Sequence, residues 1–206
     1  RLAPDQVYSK WGAFLGELVF DPFKYRIPPA SLASIEPAQL LSLEIAWRAL
    51  VDAGYLEGRI PRERTSVIFA VSGPHDLGFS YGFRTMARHF LDQCDELDEA
   101  TRRQVLDSFE SRLPEWTEDS FAGFLNNVIA GRLSNRLDLL GPSFTVDAAC
   151  AASLAAVHAA AEQLRSRSFD VVLVAAADAT NSVACFMSFA KTHALSPRGK
   201  PCPFDD

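Results

Sequence analysis

The sequence has 206 residues, a formal net charge of −6 and 48% hydrophobic residues, which is enough for one sizeable core. Its 20 Lys and Arg residues are scattered, which argues against a nucleic-acid or anionic-membrane surface. No apolar run could span a bilayer and no signal-peptide pattern opens the chain, so we expect a soluble, cytoplasmic protein. Four cysteines without Cys-x-x-Cys spacing predict reduced thiols and neither zinc nor a disulfide framework: Cys94, Cys150, Cys185 and Cys202.

The first part of the chain predicts a loop, a helix and a buried strand. Residues 7–37 contain four prolines among aromatic residues, which is typical of an irregular but packed segment. Pro37 suits a first helical turn, and apolar residues then recur at helical spacing up to a stop at Gly54. The continuous apolar run 65–71 (TSVIFAV) predicts a strand that is covered on both faces, as in a parallel sheet.

The later elements alternate between helices and strands. A polar stretch, 84–113, predicts a surface helix or a helical pair, and 121–140 predicts a helix with unusually placed polar residues. Residues 143–146 predict a short buried strand, 169–177 (FDVVLVAAA) a doubly buried strand and 181–189 a short helix. This order predicts a layered α/β fold with a largely buried sheet.

Cys150 is the first candidate for chemistry, because it follows the predicted strand 143–146 and opens an alanine-rich helix that extends to about Arg165. The N–H groups and the dipole at a helix start favour a thiolate, which suits acyl transfer. The many alanines indicate close packing of other backbone against this helix and predict that it is buried centrally. Free cysteines are also often inert core residues. The residues alone leave both interpretations of Cys150 open.

A histidine is the usual base for such a thiol, and it must come within hydrogen-bond reach. His158 lies eight positions along the same helix, roughly 12 Å up its axis, so it cannot touch Cys150 and is predicted to pack within the helix. His193, in the last loop, could approach, whereas His75 and His89 fall in polar segments and are predicted to face solvent. No Gly-x-Ser-x-Gly elbow is present, which argues against a serine hydrolase.

VDAACAASLAAVHAA, around Cys150, and several other segments, in order, resemble those of β-ketoacyl synthases, the condensing enzymes of fatty-acid and polyketide assembly. VDAACAASLAAVHAA is similar to their active-site segment, in which the cysteine opens a buried helix. The other matching segments are IEPAQLLSLEIAWRALVDAGY, SVIFAVSG, NNVIAGRLSNRLDLLGPSFTVDAAC and FAKTHALSPRGKPCPFDD. The sequence has alanine at positions 148, 151 and 152, where the family frequently has Thr or Ser, so the side chains at these positions are still small. The segments SIEPAQ and LPEWTEDSFAGFLNNVIAGRLSNRLDL most resemble those of iterative synthases that make polyunsaturated fatty acids or enediyne precursors.

The resemblance implies a thiolase-like layered α/β fold made of two related halves. Residues 1–206 would be a partial N-terminal domain, incomplete at both ends, with a helical insertion around 84–120. The family's two catalytic histidines and its lysine would then lie beyond residue 206. We therefore expect residues 1–206 alone to be inactive.

The resemblance also implies a reaction. Cys150 would take an acyl group from an acyl carrier protein as a thioester, and the carbanion left by decarboxylation of a malonyl unit would attack it. The Cys150 backbone N–H, at a helix start, would be one oxyanion donor. No organic cofactor or metal is required, and a homodimer with residues 143–146 near its two-fold axis is implied. The alternatives are a thiolase-type acyltransferase that uses coenzyme A and a catalytically silent ketosynthase-like partner protein.

Overall fold

The computed structural model describes residues 4–55, 60–73 and 75–204. Its helices and strands are α1 (Pro37–Asp52), β1 (Thr65–Ala70), α2 (Asp76–Asp92), α3 (Glu99–Glu110), α4 (Ser120–Phe124), α5 (Asn126–Arg136), β2 (Ser143–Val146), α6 (Ala152–Arg165), β3 (Val171–Ala176) and α7 (Val183–Lys191). One compact unit, Phe20–Asp178, holds α1–α6 and β1–β3. The described residues 4–19 and 179–204 form another unit, which holds α7.

The larger unit is built on a parallel sheet with the strand order β2-β1-β3. All six residues of β1 are buried, which confirms the predicted strand that is covered on both faces. Its side chains alternate: Val67 and Phe69 belong to the core cluster shared with α1 and α5, whereas Ile68 and Ala70 pack with α6. The sheet therefore lies between two helical layers.

The layer of α1 and α5 forms the larger core. Pro37 opens α1 and Gly54, with φ 75°, follows its end, as predicted. Leu43 and Ala46 of α1 meet Leu133 of α5 within the cluster that includes β1. Burial of these apolar side chains fixes the helices on the sheet.

The opposite layer is α6, which buries a stripe of small residues: Ala152, Ala156 and Ala160. Their size lets the helix approach Ile68 and Ala70 of β1 closely. The prediction of a centrally buried helix is wrong for the described residues, because Leu154 and Val157 on other faces are 75% and 53% exposed. His158 is also exposed rather than packed, since it lies off the alanine stripe.

The strands β2 and β3 were predicted to be buried, and the structure corrects this. Both strands form, but no residue of β2 and only Leu173 of β3 is buried. Each is an edge of the described sheet and pairs only with β1. Within the described residues, neither β2 nor β3 has a second neighbouring strand to cover it.

The predicted helical pair at 84–113 is confirmed as α2 and α3, although α2 begins earlier, at Asp76. That this stretch is an insertion into the family's fold stays a prediction. The helix predicted over 121–140 is two helices, α4 and α5, separated by Leu125 in an extended conformation. Gln39 stabilises the break, because its Nε2 donates to the carbonyl of Gly123 at 2.8 Å and also to that of Leu125.

The smaller unit contains α7, which confirms the short helix predicted at 181–189. The Ser182 hydroxyl caps it by accepting the N–H of Cys185 at 3.2 Å. The side chains of Tyr8 and Ser9 donate to the carbonyls of Leu195 and Ser196, so the two segments of this unit are joined. None of the helices in the described ranges is long and apolar enough to cross a bilayer.

Candidate active site

Cys150 lies on a turn between β2 and α6. Residues Ala149–Ala151 form a single 3-10 turn, and α6 begins directly after it, so the predicted place of Cys150 at a helix start is confirmed. The first backbone hydrogen bond of this turn runs from the N–H of Ala151 to the carbonyl of Ala148. The N–H of Cys150 comes one residue earlier, among the N–H groups of a first turn that have no partner within the helix. The thiol is free and the residue is exposed rather than enclosed in the core.

The turn before Cys150 is held by the carboxylate of Asp147. One oxygen, Oδ1, accepts a hydrogen bond from the Ser72 hydroxyl and another, of 3.0 Å, from the N–H of Ala149. The Ser72 bond, followed by those from the Ala149 and Gly73 backbone, holds the pKa of Asp147 below its usual value. Asp147 is therefore ionised at neutral pH and links the ends of β1 and β2.

Ala149 has an unusual backbone conformation next to the cysteine. Its φ is 48°, in the left-handed region, which costs a non-glycine residue about 1–2 kcal/mol. Ala148 before it is also irregular, with φ −136° and ψ 34°. The turn therefore needs outside contacts to persist, and those of Asp147 supply them.

A cleft of about 440 Å³ adjoins this turn, at the carboxyl ends of β1 and β2. Asp147 lines it, together with apolar side chains from Val71, Phe124 and Leu125. Asn126 also lines it and donates from Nδ2 to the carbonyl of Gly73 at 2.9 Å. The cleft is thus lined by both apolar and hydrogen-bonding residues, and Asp147, three residues before Cys150, lies on its wall.

Each of three histidines has its own surroundings within its unit. His75 was predicted to face solvent, but it is only 4% exposed; it directly precedes α2 and lies near Glu36, which is also buried. His89 is exposed, as predicted, and shares a hydrogen bond with Gln93. His193 stacks on Tyr8 within the smaller unit, with a centroid separation of 5.9 Å. In the described part of the larger unit no hydrogen bond joins a histidine to Cys150.

No group of three or more His, Cys, Asp or Glu residues in the described ranges is arranged to hold a metal ion. The sequence did not single out the contacts of Ser72 with Asp147 or of Asn126 with Gly73, which the fold forms beside the turn that carries Cys150. Asp147 is part of the sequence motif around Cys150, but its hydrogen bond with Ser72 joins positions 75 residues apart. Only the pairing of β1 with β2 reveals that contact.

The larger unit is thus a layered α/β fold, a parallel sheet between two helical layers, with an accessible cysteine at the start of the helix that follows an edge strand. Residues 1–206 match the family model of the β-ketoacyl synthase N-terminal domain. The chain belongs to this family, which confirms both the resemblance and the predicted fold class.

Curated relatives support the same family. The chain is 34% identical over 198 residues to a phenolphthiocerol/phthiocerol polyketide synthase of Mycobacterium tuberculosis, covering 96% of this chain and 9% of that protein. It is 30% identical over 199 residues to a polyunsaturated fatty acid synthase of Thraustochytrium sp., covering 95% of this chain and 7% of that protein. The chain thus spans less than a tenth of the length of these two relatives.

Two solved structures share the fold. An oxazolomycin ketosynthase domain from Streptomyces albus JA3453 aligns with a TM-score of 0.67 and 24% identity, over 96% of this chain and 29% of that one. A ketosynthase from module 6 of the bacillaene synthase of Bacillus subtilis 168 aligns with a TM-score of 0.63 and 23% identity, over 88% of this chain and 25% of that one. At this level of identity the likeness concerns the fold.

Proposed function

We propose that this chain carries the nucleophile of a ketosynthase that performs decarboxylative Claisen condensation in polyketide or fatty-acid biosynthesis. The observation that carries the proposal is the exposed, free thiol of Cys150 at a helix start, within a chain of the β-ketoacyl synthase family. The printed names of the relatives, a polyketide synthase and a polyunsaturated fatty acid synthase, support this substrate class.

The reaction begins with capture of an acyl group. The Cys150 thiol gives up its proton, its thiolate attacks the thioester carbonyl of an acyl carrier protein, and the new thioester forms on Sγ. The carrier leaves as a thiolate and takes up a proton in place of the one that Cys150 released. The N–H of Cys150 comes before the first backbone hydrogen bond of its turn, so it has no partner within the helix. It donates to the oxyanion of the tetrahedral intermediate. A malonyl unit then loses carbon dioxide, and its carbanion displaces Sγ to give the β-ketoacyl product.

The partners we propose are an acyl carrier protein and a second copy of the chain. In the described sheet β2 pairs only with β1, so its other edge offers unpaired backbone groups. Phe144 on this strand is 38% exposed. Pairing of residues 143–146 across a two-fold axis would cover this edge. The cytoplasmic location stays a prediction from the sequence.

The test is acylation of the full-length protein. The wild type is incubated with an acyl thioester of a carrier protein, and the adduct is located by peptide mass spectrometry. We expect the acyl group on Cys150, its loss in Cys150→Ser and its retention in Cys202→Ser, a matched change at another exposed cysteine.

Two results would contradict this assignment. An adduct on Cys94, Cys185 or Cys202, or undiminished labelling in Cys150→Ser, would remove Cys150 from the role of nucleophile. Acylation from coenzyme A thioesters together with none from the carrier protein would instead favour a thiolase-type acyltransferase. No acylation of any kind would favour a silent partner protein.

A further inference from the structure

We propose that Asp147 is a positioning residue for the nucleophile, acting through a hydrogen-bonded clamp with Ser72 that fixes the turn before Cys150. The inference rests on the proposed function of Cys150. It concerns a carboxylate that touches neither the thiol nor a substrate in the described contacts, and whose hydrogen bonds all go to the turn and to the end of β1.

The clamp extends the pairing of β1 with β2 beyond the end of the sheet. The last backbone bond between these segments runs from the N–H of Val71 to the carbonyl of Val146, at 3.2 Å. The next residue on each side is Ser72 and Asp147, which bond through their side chains. The segment that leads to Cys150 is thereby tied to the most buried strand of the unit.

The same carboxylate oxygen also fixes the backbone of the turn. Oδ1 of Asp147 accepts the N–H of Ala149 at 3.0 Å, two residues along the chain. Ala149 is held in the left-handed conformation that brings Cys150 to the start of the helical segment. Without an acceptor at position 147 the alanine would relax toward the ordinary regions of φ, which are more stable for a residue with a Cβ.

A neighbouring contact supports the Ser72 side of the clamp. The Nδ2 group of Asn126, at the first residue of α5, donates to the carbonyl of Gly73 at 2.9 Å. Gly73 has φ 72°, a conformation that glycine adopts without strain. The loop after β1 is therefore held from two sides, by α5 and by Asp147.

Orientation is what the clamp contributes to the reaction. Transfer of an acyl group requires that Sγ and the backbone N–H of Cys150 meet one thioester carbonyl at the same time. A displacement of about 1 Å in such a constellation can cost on the order of a hundredfold in rate. Alkylation of the thiol by a small reagent needs no such alignment and depends only on an accessible thiolate.

The test compares Asp147→Ala and Asp147→Asn with wild type in the full-length protein. Asparagine keeps an oxygen that can accept both hydrogen bonds, whereas alanine keeps none. We expect the maximal rate of acyl-enzyme formation to fall about tenfold to a hundredfold in Asp147→Ala and to stay within about fivefold of wild type in Asp147→Asn, whose bonds are weaker. Iodoacetamide labelling of Cys150 should change far less than acylation in both variants.

Asp170→Ala is the matched control. Asp170 also accepts paired hydrogen bonds, from Nε and Nη2 of Arg64 at 2.6 and 2.8 Å, but at the amino ends of β1 and β3. Its loss should leave acylation unchanged. Ser72→Ala, which removes only an exposed hydroxyl, provides a second variant if Asp147→Ala does not fold, and we expect it to slow acylation severalfold.

The outcomes separate this inference from the proposed function. If wild type forms no acyl-enzyme on Cys150, the proposed function fails and the inference with it. If wild type is acylated there but Asp147→Ala or a folded Ser72→Ala reacts at the wild-type rate, only the positioning role is overturned. The positioning role is also overturned if Asp147→Asn is as slow as Asp147→Ala, because an acceptor oxygen at position 147 would then not be enough to keep the rate of acylation.

Discussion

The carbonyl oxygen of Ser34 occupies the space where a Cβ of Gly123 would stand, and the carbonyl carbon of Ser34 would lie only 2.7 Å from that atom. The backbones of α4 and of the 3-10 turn that ends at Ser34 therefore touch directly. We expect Gly123→Ala to lower the free energy of unfolding by about 1–3 kcal/mol, as overpacking does. Denaturant unfolding of the full-length protein measures this change.

Gly131→Ala is the matched control for this prediction. Gly131 lies inside α5, and a Cβ there would meet nothing within 4 Å. Alanine is the better helix former, so the free energy of unfolding should rise by about 0.5–1 kcal/mol. Equal effects of the two substitutions would show that the contact with Ser34 does not decide the stability at position 123.

How far the sequence predicts this fold is clearest in the strands. The run 65–71 and the run 169–177 are both strongly apolar, and both contain strands. The first lies in the middle of the described sheet and the second at its edge. Local composition predicts that a strand forms, but its place depends on partners far along the chain. The burial of β3 could therefore not be predicted from its own residues.

The candidate site shows the same division. The strand and the helix on either side of Cys150 follow from a local pattern, and their presence was predicted correctly, whereas the turn at Ala149–Ala151 and the exposure of both elements were not. The break at Leu125 was missed because the group that stabilises it is the side chain of Gln39, which lies 86 positions earlier. The burial of His75 was missed because the charges around it in sequence resemble a surface segment, whereas its neighbour in space is Glu36.

The exposed strand β2 gives a prediction about assembly. If residues 143–146 pair with a second copy, Phe144→Lys should place a charge at that contact and weaken the dimer by at least about tenfold. Light scattering at micromolar concentration measures the oligomeric state. Ile45→Lys on α1, at a side chain that is 49% exposed, is the control and should have no effect. A wild type that is a clean monomer contradicts the proposal.

Glu44 predicts a loss of stability in acid. Hydrogen bonds from Lys24 at 2.9 Å, then from Tyr25 at 2.6 Å and Arg48 at 2.8 Å, lower the pKa of Glu44 to about 2. The folded state thus keeps the carboxylate ionised at a pH where the unfolded chain, with an ordinary value of 4.5, takes up a proton. This stabilisation is complete above the unfolded value and is lost as the pH falls toward about 2.

Glu44→Gln should therefore be less stable than wild type at neutral pH, and the difference should shrink as the pH falls below the ordinary value of 4.5. Urea unfolding over this pH range measures the difference. Glu162→Gln removes an exposed ion pair with Arg165 and should cost less than about 1 kcal/mol at any pH. A difference at Glu44 that does not depend on pH would refute the prediction.

The raised pKa of Glu36 predicts that its contribution to the stability of the fold has the opposite dependence on pH. It is only 3% exposed, and burial raises its pKa, an effect that the hydrogen bond of 3.1 Å from the Leu77 N–H and the nearby His75 partly offset. As the pH rises above the ordinary value of 4.5, the unfolded chain releases this proton before the folded state does. Stability is therefore lost as the pH rises through this window.

Glu36→Gln removes that dependence, because its neutral amide oxygen can still accept the Leu77 N–H. Relative to wild type, the variant should gain stability as the pH rises above the ordinary value of 4.5, since only wild type must then bury a charge. Urea unfolding of both proteins across this range is the measurement. A stability difference that stays constant, or that moves against the variant as the pH rises, would show that Glu36 titrates as an ordinary surface carboxylate does.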